Sequence, residues 1–424
     1  MNIPNTSKPR IVIIGGGFAG ISCIKQLQGQ DAQLVLFDRH NYHTFQPLLY
    51  QVSTAGLEPD SIAYPLRKIF RKNKDFHFRL AQVTKINAAE NIVETNIGPL
   101  KYDYLVIATG TRTNFFGNEE MEQNSMAMKT VPQALDIRSL MLQNIEDADK
   151  TEDPEARKRL LNFVVVGGGP TGVELAGALA EFRKGILEND YPELEEEQMH
   201  VHLVEGMEKV LGSMSEHASK KAQQFLERLG VEIHLSTQVK SYDGKLAVTE
   251  SGKEFATETL IWAAGVTGNP VAGLKEAVYV EKSRRYRVDR FNKIEGYDTI
   301  YALGDIALMQ TGEYPNGHPQ VAQPAMQQGK ALGKNLKRKL NNKSMKPFEY
   351  TDKGSMATIG RNKAVVDIKK LRFAGAFAWF VWMFIHLWFL VGFRNRVITF
   401  FNWTYSYLNY DRAARLIIRP FKKN

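Results

Sequence analysis

Cysteine is almost absent from this chain of 424 residues, which contains only Cys23. A single cysteine cannot form an internal disulfide, and it excludes both a dithiol redox centre and every cysteine-rich metal site. Cys23 lies within a helical pattern of apolar residues, so we interpret it as a packed core thiol. The nine histidines show no metal-ligand spacing, and we predict no metal. Enzymes whose chemistry depends on a cysteine pair are therefore excluded.

Charge is absent from residues 373–393, although the whole chain carries a net charge of +9 and has a mean hydropathy of −0.31. Thirteen Lys or Arg stand against three acids in residues 330–372, and seven stand against one acid in residues 394–424. Such basic segments need an anionic partner, either nucleic acid or phospholipid. Because they flank an apolar run, we predict an anionic phospholipid membrane surface and no nucleic acid.

The apolar run meets the nominal length of a transmembrane helix, but its pattern argues against one. His386 lies in its middle, and its tryptophans are spread along it rather than placed at its ends. The next segment, "RNRVITFFNWTYSYLNYDRAARLIIRP", mixes apolar residues with cations, as amphipathic segments in the headgroup plane do. We therefore predict a C-terminal amphipathic helical membrane-docking region that is monotopic and lies on one leaflet.

A dinucleotide-binding pattern opens the chain in "RIVIIGGGFAGISCIKQL". A short buried strand is followed by Gly15, Gly17 and Gly20, in the order G-x-G-x-x-G, and then by a helical pattern. These glycines allow a tight turn and let the backbone approach a pyrophosphate at the helix N-terminus. A second strand ends at Asp38, 23 residues after Gly15, where an acid can accept hydrogen bonds from a ribose. The combination predicts a Rossmann-like unit.

The same pattern returns in "FVVVGGGPTGVELAGALAEF", with Gly167, Gly169 and Gly172 as the fingerprint. The following strand ends at Glu205, 38 residues after Gly167, because a helix extension and a polar loop intervene. An acid at this point repels a 2′-phosphate and favours a free 2′-hydroxyl. We therefore predict NADH rather than NADPH at the second loop.

Three further segments follow in a characteristic order: "YLVIATGT", "TLIWAAGV" and "TIYALGDIA". With both fingerprints, residues 10–330 resemble the two-dinucleotide-binding-domain flavoproteins of the glutathione-reductase-like superfamily. The resemblance implies an α/β fold with two Rossmann-like domains, FAD at the first fingerprint, a nicotinamide nucleotide at the second, and Asp305 at the ribityl–phosphate region of FAD. Members that reduce disulfides or oxidise sulfide need catalytic cysteines, so the acceptor that remains is oxygen, a protein carrier or a quinone.

Segments "FQPLLYQV", "AQPAMQQG" and "ATIGRNKAV", with the apolar tail, closely resemble the type II NADH:quinone oxidoreductases. The resemblance implies a single-subunit respiratory enzyme that oxidises NADH and reduces ubiquinone or menaquinone without pumping protons. It further implies a homodimer on the cytoplasmic face of the inner membrane. It places Glu174 near the nicotinamide and the flavin, Gln323 and Gln327 along the quinone site, and Lys363 at the cap of that site.

The motifs and the resemblance together assign a larger set of residues to the cofactors. Those expected at FAD are Gly15, Gly16, Gly17, Phe18, Ala19, Gly20, Asp38, Arg39, Gln46, Val83, Thr109, Gly110, Gly304, Asp305, Ala322 and Gln323. Those expected at NADH are Gly167, Gly169, Thr171, Gly172, Glu174, Glu205, Ala264 and Gly265.

We expect a discontinuous FAD domain of residues 1–155 and 287–340, an NADH domain of residues 156–286, and the membrane-docking region at residues 341–424. Two alternatives stay open. One is a flavin-dependent NADH reductase of a soluble protein acceptor such as ferredoxin, which would not need the tail. The other is a redox-regulated, FAD-containing binding protein whose basic region contacts nucleic acid. Salt-sensitive DNA binding with slow NADH oxidation would identify the second.

Overall fold

A computed structural model of the chain describes residues 1–194, 198–409 and 414–422. Its strands are β1 (Arg10–Ile14), β2 (Gln33–Asp38), β3 (Tyr42–Thr44), β4 (Ala63–Pro65), β5 (Phe76–Leu80), β6 (Val83–Asn87), β7 (Ile92–Thr95), β8 (Leu100–Lys101), β9 (Tyr104–Ile107), β10 (Thr111–Thr113), β11 (Met126–Ala127), β12 (Asn162–Val166), β13 (His200–Val204), β14 (Val231–His234), β15 (Val239–Tyr242), β16 (Leu246–Thr249), β17 (Glu254–Ala256), β18 (Thr259–Trp262), β19 (Val266–Gly268), β20 (Tyr279–Val280), β21 (Arg285–Arg287), β22 (Ile300–Ala302), β23 (Ala307–Leu308), β24 (Ser355–Thr358), β25 (Ala364–Ile368) and β26 (Leu371–Gly375).

The α-helices follow the same chain order. They are α1 (Phe18–Leu27), α2 (Leu49–Ser53), α3 (Pro59–Ile62), α4 (Leu66–Ile69), α5 (Glu119–Asn124), α6 (Val131–Lys150), α7 (Pro154–Leu160), α8 (Pro170–Phe182), α9 (Glu188–Asp190), α10 (Glu216–Arg228), α11 (Ala322–Leu340), α12 (Ala376–Phe389) and α13 (Phe393–Asn409).

One compact unit consists of residues 1–43, 64–112 and 266–352. Its central sheet is parallel and has the strand order β22-β9-β1-β2-β5. Alternate residues of β1 enter two different cores: Val12 and Ile14 pack on one face, and Ile11 and Ile13 pack on the other with α1 and α11. The near-continuous apolar character of β1 follows from burial of both faces of a parallel sheet.

The second unit consists of residues 44–63, 113–265 and 353–424, within the described ranges. Its parallel sheet has the strand order β11-β18-β12-β13-β14, and the fingerprint helix α8 follows β12. The predicted α/β architecture with two Rossmann-like units is therefore confirmed.

The boundaries of these units differ from the expected domains. Residues 113–155 join the second unit, because β11 pairs with β18 and the buried Asn144 amide donates to Thr259 Oγ1 at 2.8 Å. Residues 266–286 join the first unit, because Val271, Leu274 and Val278 pack in its core. Tertiary packing, which local composition does not report, decides these assignments.

The C-terminal region from residue 353 belongs to the second unit and packs directly on α8. Strands β24, β25 and β26 form an antiparallel sheet, and a side chain at Gly177 of α8 would place its first carbon 3.2 Å from the Gly360 nitrogen. Asp367 accepts hydrogen bonds from the Ser215 backbone nitrogen (2.7 Å) and hydroxyl (2.9 Å). The predicted helical tail follows as α12 and α13, separated at Leu390–Gly392. Within the described residues, no helix has both the length and the apolar character needed to cross a membrane.

Candidate active site

The first fingerprint loop is shaped by close backbone packing. Gly15 follows β1 with φ +106°, and a side chain there would place its first carbon 2.3 Å from the Ala108 carbonyl oxygen. A side chain at Gly20 would come 2.0 Å from the Gly15 oxygen, so α1 could not approach the strand. Gly17, by contrast, is the N-cap of α1, and a side chain there would meet no atom of the described residues within 4 Å. The loop is therefore tight toward the protein and open where a ligand approaches.

The residues around this loop fit a dinucleotide. Within the described part of the chain, no side chain caps the N-terminus of α1, so its backbone N–H groups remain available to a diphosphate. Thr109, just after β9, has a buried hydroxyl beside Gly15 that finds no hydrogen-bond partner among the described residues. An orphaned buried hydroxyl is costly unless a ligand satisfies it. The open Gly17 and the orphaned Thr109 hydroxyl are the features that FAD would complete.

The acid that ends each second strand has the same local geometry in both units. Asp38 accepts the Gly16 N–H at 2.6 Å and the His40 N–H at 2.7 Å. Glu205 accepts the Gly168 N–H and, at 2.8 Å, the Met207 N–H. Each carboxylate therefore bonds to the second glycine of its Gly-Gly-Gly run and to the residue two positions after itself. This repetition shows that the long interval before Glu205 does not displace the acid from its loop.

The second fingerprint repeats the packing of the first. Gly167 has φ +110°, and a side chain there would lie 2.7 Å from the Ala263 carbonyl and from Ala264 Cα. At Gly172 the distance to the Gly167 oxygen would be 1.8 Å, whereas Gly169 has open space around it. Gly265 has φ +155° beside the loop, and Thr171 is exposed in the first turn of α8. These predicted NADH residues lie in one unit around one loop.

Asp305 and the start of α11 lie in the same unit as the first fingerprint. Asp305 Oδ2 accepts a hydrogen bond from the Thr111 hydroxyl at 3.2 Å. Gly304, with φ +70°, would bring a side chain to 3.1 Å from the Ala325 methyl group and 3.2 Å from the Ala19 methyl group, so it lies between α11 and α1. Helix α11 begins at Ala322, and no side chain of the described residues caps its N-terminus. Asp305 and the first turn of α11 therefore both lie in the unit that carries the first fingerprint loop.

The close contact between α1 and α11 explains the lone cysteine. Side chains at Gly329 and Gly333 would come within 2.3 Å of the Ala19 oxygen and 2.6 Å of the Cys23 oxygen, so only glycine lets the two helices touch. Cys23 is fully buried in this contact, and burial raises the pKa of its thiol to about 12. Its interpretation as a core thiol is confirmed.

The glutamines of α11 differ in the hydrogen bonds that they make. Gln323 is half-buried in the first turn. Gln327, one turn later, uses both ends of its amide on the Thr351 backbone: its Nε2 donates to the carbonyl at 2.9 Å and its Oε1 accepts the N–H at 3.1 Å. Helical spacing places both glutamines on one face of α11, but it does not reveal that the Thr351 backbone bonds to the Gln327 amide. The sequence pattern does not single out Gln328, although its Oε1 accepts the Gly304 N–H at 2.8 Å.

Glu174 is the buried carboxyl of the second unit. It lies on α8 five residues after Gly169, is 8% exposed, and its Oε1 accepts the Thr358 N–H at 3.3 Å. Burial raises the pKa of Glu174 to about 8, against the opposing effects of the Thr358 N–H and the Trp382 indole. Perturbed carboxyls of this kind are typical of groups that hold a proton for chemistry. The sequence could not show this environment, because both partners lie in the C-terminal region.

An aromatic cluster of the tail adjoins Glu174. Trp382 is 2% exposed on α12, and His386 stacks on it with a centroid distance of 4.1 Å. His386 Nδ1 lies 2.8 Å from the Trp382 carbonyl oxygen, and burial lowers the pKa of His386 to about 4. Phe45 packs edge-on against His386 at 6.1 Å. The histidine in the apolar run is therefore a neutral packing residue rather than a charge.

Four predicted residues do not gather at these features. Burial lowers the pKa of Lys363, Glu181 opposes this effect, and the cations Arg228 and Lys184 add to it. The quinone role of Lys363 stays a prediction. The other three are Arg39, which is exposed, Gln46, which is exposed and belongs to the second unit, and Val83, which packs against the first unit's core.

The tail exposes several large apolar side chains and buries a polar one. Large apolar side chains face outward, with Phe384 65%, Trp388 64% and Phe393 81% exposed. Polar side chains face inward: Asn395 is 2% exposed and donates to the Asp60 and Ala63 carbonyls at 2.9 and 3.0 Å. A contiguous exposed apolar patch on a folded protein marks an interaction surface.

Comparison with known proteins agrees with these features. A family model described as Pyridine nucleotide-disulphide oxidoreductase matches residues 9–329, and one described as NDH2 C-terminal domain matches residues 353–410. The chain is 35% identical to the type II NADH:quinone oxidoreductase Ndh of Mycobacterium tuberculosis, over 96% of this chain and 90% of that protein. It is 30% identical to the type II NADH:quinone oxidoreductase of Staphylococcus aureus, over 84% and 89%.

Among solved structures, NDH2 from Plasmodium falciparum in complex with NADH superposes with a TM-score of 0.88 at 20% identity, covering 97% of this chain and 100% of that one. This likeness shows the fold. The sequence identity to the relatives from Mycobacterium tuberculosis and Staphylococcus aureus, over most of each chain, also shows the family. The chain belongs to the type II NADH:quinone oxidoreductase family.

Proposed function

We propose that this chain oxidises NADH and reduces a membrane quinone through bound FAD, without pumping protons. The observation that carries the proposal is the repeated acid–glycine geometry, with Asp38 and Gly16 in one unit and Glu205 and Gly168 in the other. Two such loops suit two dinucleotides, FAD at the first and NADH at the second. When bound, FAD accepts a hydride from NADH and passes two electrons to the quinone.

Glu205 selects NADH in this proposal. Its carboxylate already accepts two backbone N–H groups at the fingerprint, so its charge is held where the adenosine ribose binds in such units. A free 2′-hydroxyl would donate to it, whereas a 2′-phosphate would place two anions together. The preference for NADH over NADPH follows.

Glu174 and Gln323 are the proposed residues of the quinone reaction. Because burial raises the pKa of Glu174 to about 8, its carboxyl holds a proton at neutral pH, which quinone reduction consumes. Gln323 offers a neutral amide that hydrogen-bonds a quinone oxygen without adding charge to an apolar site. Gln327 is proposed to line the same site, where one hydrogen bond at each end of its amide fixes it to the Thr351 backbone.

The apolar faces of α12 and α13 are proposed to dock on an anionic phospholipid leaflet at the cytoplasmic face of the inner membrane. The outward Phe384, Trp388 and Phe393 bury in the interface, while inward polar residues tie the tail to the protein. Trp403 Nε1 donates to Gln51 Oε1 at 2.8 Å, so the tail also holds the "FQPLLYQV" segment. Ubiquinone or menaquinone enters from the lipid, and a homodimer would present two tails to one leaflet.

A two-step stopped-flow experiment tests the function. The purified yellow protein is reduced anaerobically with NADH and then mixed with a water-soluble quinone analogue, while flavin absorbance is followed. We expect fast bleaching and fast reoxidation, each at least as fast as steady-state turnover. Bleaching without rapid reoxidation would argue against a quinone as the electron acceptor and would favour a soluble protein acceptor.

A further inference from the structure

A group of potential metal ligands lies on one face of β13 and β14, among side chains that none of the roles assigned above uses. Among the described residues, His202, Glu232 and His234 each offer one ligand atom, and these atoms lie within 4.8 Å of one another. His202 pairs with Glu232 across the parallel strands, and His234 follows two residues later on the same face. Strand pairing thus gathers ligands that are 30 residues apart, which local spacing could not reveal.

Two of the three distances between the ligand atoms match a tetrahedral cation. His202 Nδ1 lies 3.2 Å from His234 Nε2 and 3.4 Å from Glu232 Oε2. Nitrogen and oxygen ligands about 2.0–2.2 Å from tetrahedral zinc lie about 3.3–3.5 Å from each other. Two imidazoles and one carboxylate, with the fourth position left to water, form a donor set that zinc accepts. We infer that His202, Glu232 and His234 bind a zinc-class divalent cation.

The surroundings support this ligand set. Glu232 uses its other oxygen, Oε1, to bond His200 Nδ1 at 2.9 Å, as metal-bound carboxylates are commonly held by a second partner. The Phe255 ring packs 5.2 Å from the His202 ring and 5.0 Å from the His234 ring, which restricts both imidazoles.

Lys253 is the competing group. Its Nζ lies 3.0 Å from His234 Nδ1, so in this structure Nδ1 accepts from the ammonium group and the ring proton lies on Nε2. Metal binding at Nε2 moves the ring proton to Nδ1, and the exposed Lys253 side chain must then turn away. Removing its charge should therefore tighten the metal.

The position of the site suggests what the cation does. It joins β13 to β14, and the His234 carbonyl accepts the Glu205 N–H at 2.8 Å. By joining the two strands, the metal therefore holds in place the end of β13, which Glu205 directly follows. This last link depends on the proposed function, whereas metal binding itself does not.

Cobalt substitution tests the site in the full-length holoprotein. After treatment with a chelator and dialysis, Co²⁺ is titrated while visible absorbance and bound metal are measured. We expect one Co²⁺ per chain with the intense visible bands of tetrahedral cobalt, displaced by Zn²⁺ and not by Mg²⁺. Zn²⁺ should also raise the melting temperature, because it binds the folded state.

Matched variants decide the assignment. Glu232→Gln, at an exposed side chain, and His234→Ala should each weaken Co²⁺ by about tenfold or more, since each removes a ligand. Lys253→Met should bind Co²⁺ several-fold more tightly. His217→Ala, at an exposed histidine of α10, is the control and should match the wild type. Equal Co²⁺ binding by all variants, octahedral cobalt spectra, or displacement by Mg²⁺ would each overturn the site.

Discussion

Replacing Glu174 with glutamine should change how stability depends on pH. In the folded protein the Glu174 pKa is raised from 4.5 to about 8, so folding favours the protonated carboxyl. This stability is fully present below pH 4.5 and is lost as pH rises through 8. From pH 6 to pH 8 the wild type should lose about 2 kcal/mol by this route, since each pKa unit corresponds to about 1.4 kcal/mol.

The Glu174→Gln variant keeps the shape and the acceptor for the Thr358 N–H but cannot ionise. Its melting temperature relative to wild type should therefore rise by about 2–3 °C between pH 6 and pH 8, for a chain of this length. Differential scanning fluorimetry with saturating FAD measures the difference, and the subtraction cancels other titrating groups. Glu227→Gln, at an exposed carboxyl of α10, serves as the control. A pH-independent difference for Glu174→Gln would refute the protonated, buried carboxyl.

Three further predictions concern the substrates and the membrane. Gln323→Leu should reduce kcat/KM for quinone by about tenfold, the value of one hydrogen bond, while flavin reduction by NADH in stopped flow stays within about twofold. Glu205→Ala should raise the KM for NADH by about tenfold or more and narrow the preference over NADPH; an unchanged preference in steady-state kinetics would contradict its role. Phe384→Glu should abolish flotation with anionic liposomes, because it replaces apolar burial worth about 2 kcal/mol with a charge, whereas Ile97→Glu on an exposed turn should float normally.

The nucleotide loops could be predicted because their geometry is local. A strand, three glycines and a helix form one continuous segment, and the backbone clashes that require Gly15 and Gly20 arise from immediate neighbours and the adjacent strand. The acids at the strand ends followed from the same pattern. The excess residues before Glu205 did not matter, because β13 still pairs in register with β12 and ends beside the fingerprint.

The domain boundaries and the glutamines were harder to predict. Residues 113–155 precede the second fingerprint, yet their strand β11 joins the sheet of the second unit and their helix α6 bonds to that sheet through Asn144. Gln327 and Gln328 are adjacent and chemically identical in sequence. One turns to Thr351 and the other to Gly304, because α11 is fixed in rotation by its glycine contact with α1. Helical periodicity gives relative directions only, and the absolute orientation comes from packing.

The sequence by itself determined the two dinucleotide loops, the acids that serve them and the amphipathic tail, because each depends on residues close together along the chain. Only the tertiary structure decided that Glu174 keeps its proton, because burial in the folded protein raises its pKa despite the opposing effects of Thr358 and Trp382, some 200 residues away. The same holds for His202, Glu232 and His234, which become neighbours only when β14 pairs with β13. A pKa and a coordination distance depend on which atoms surround a group, and that is set by the whole fold.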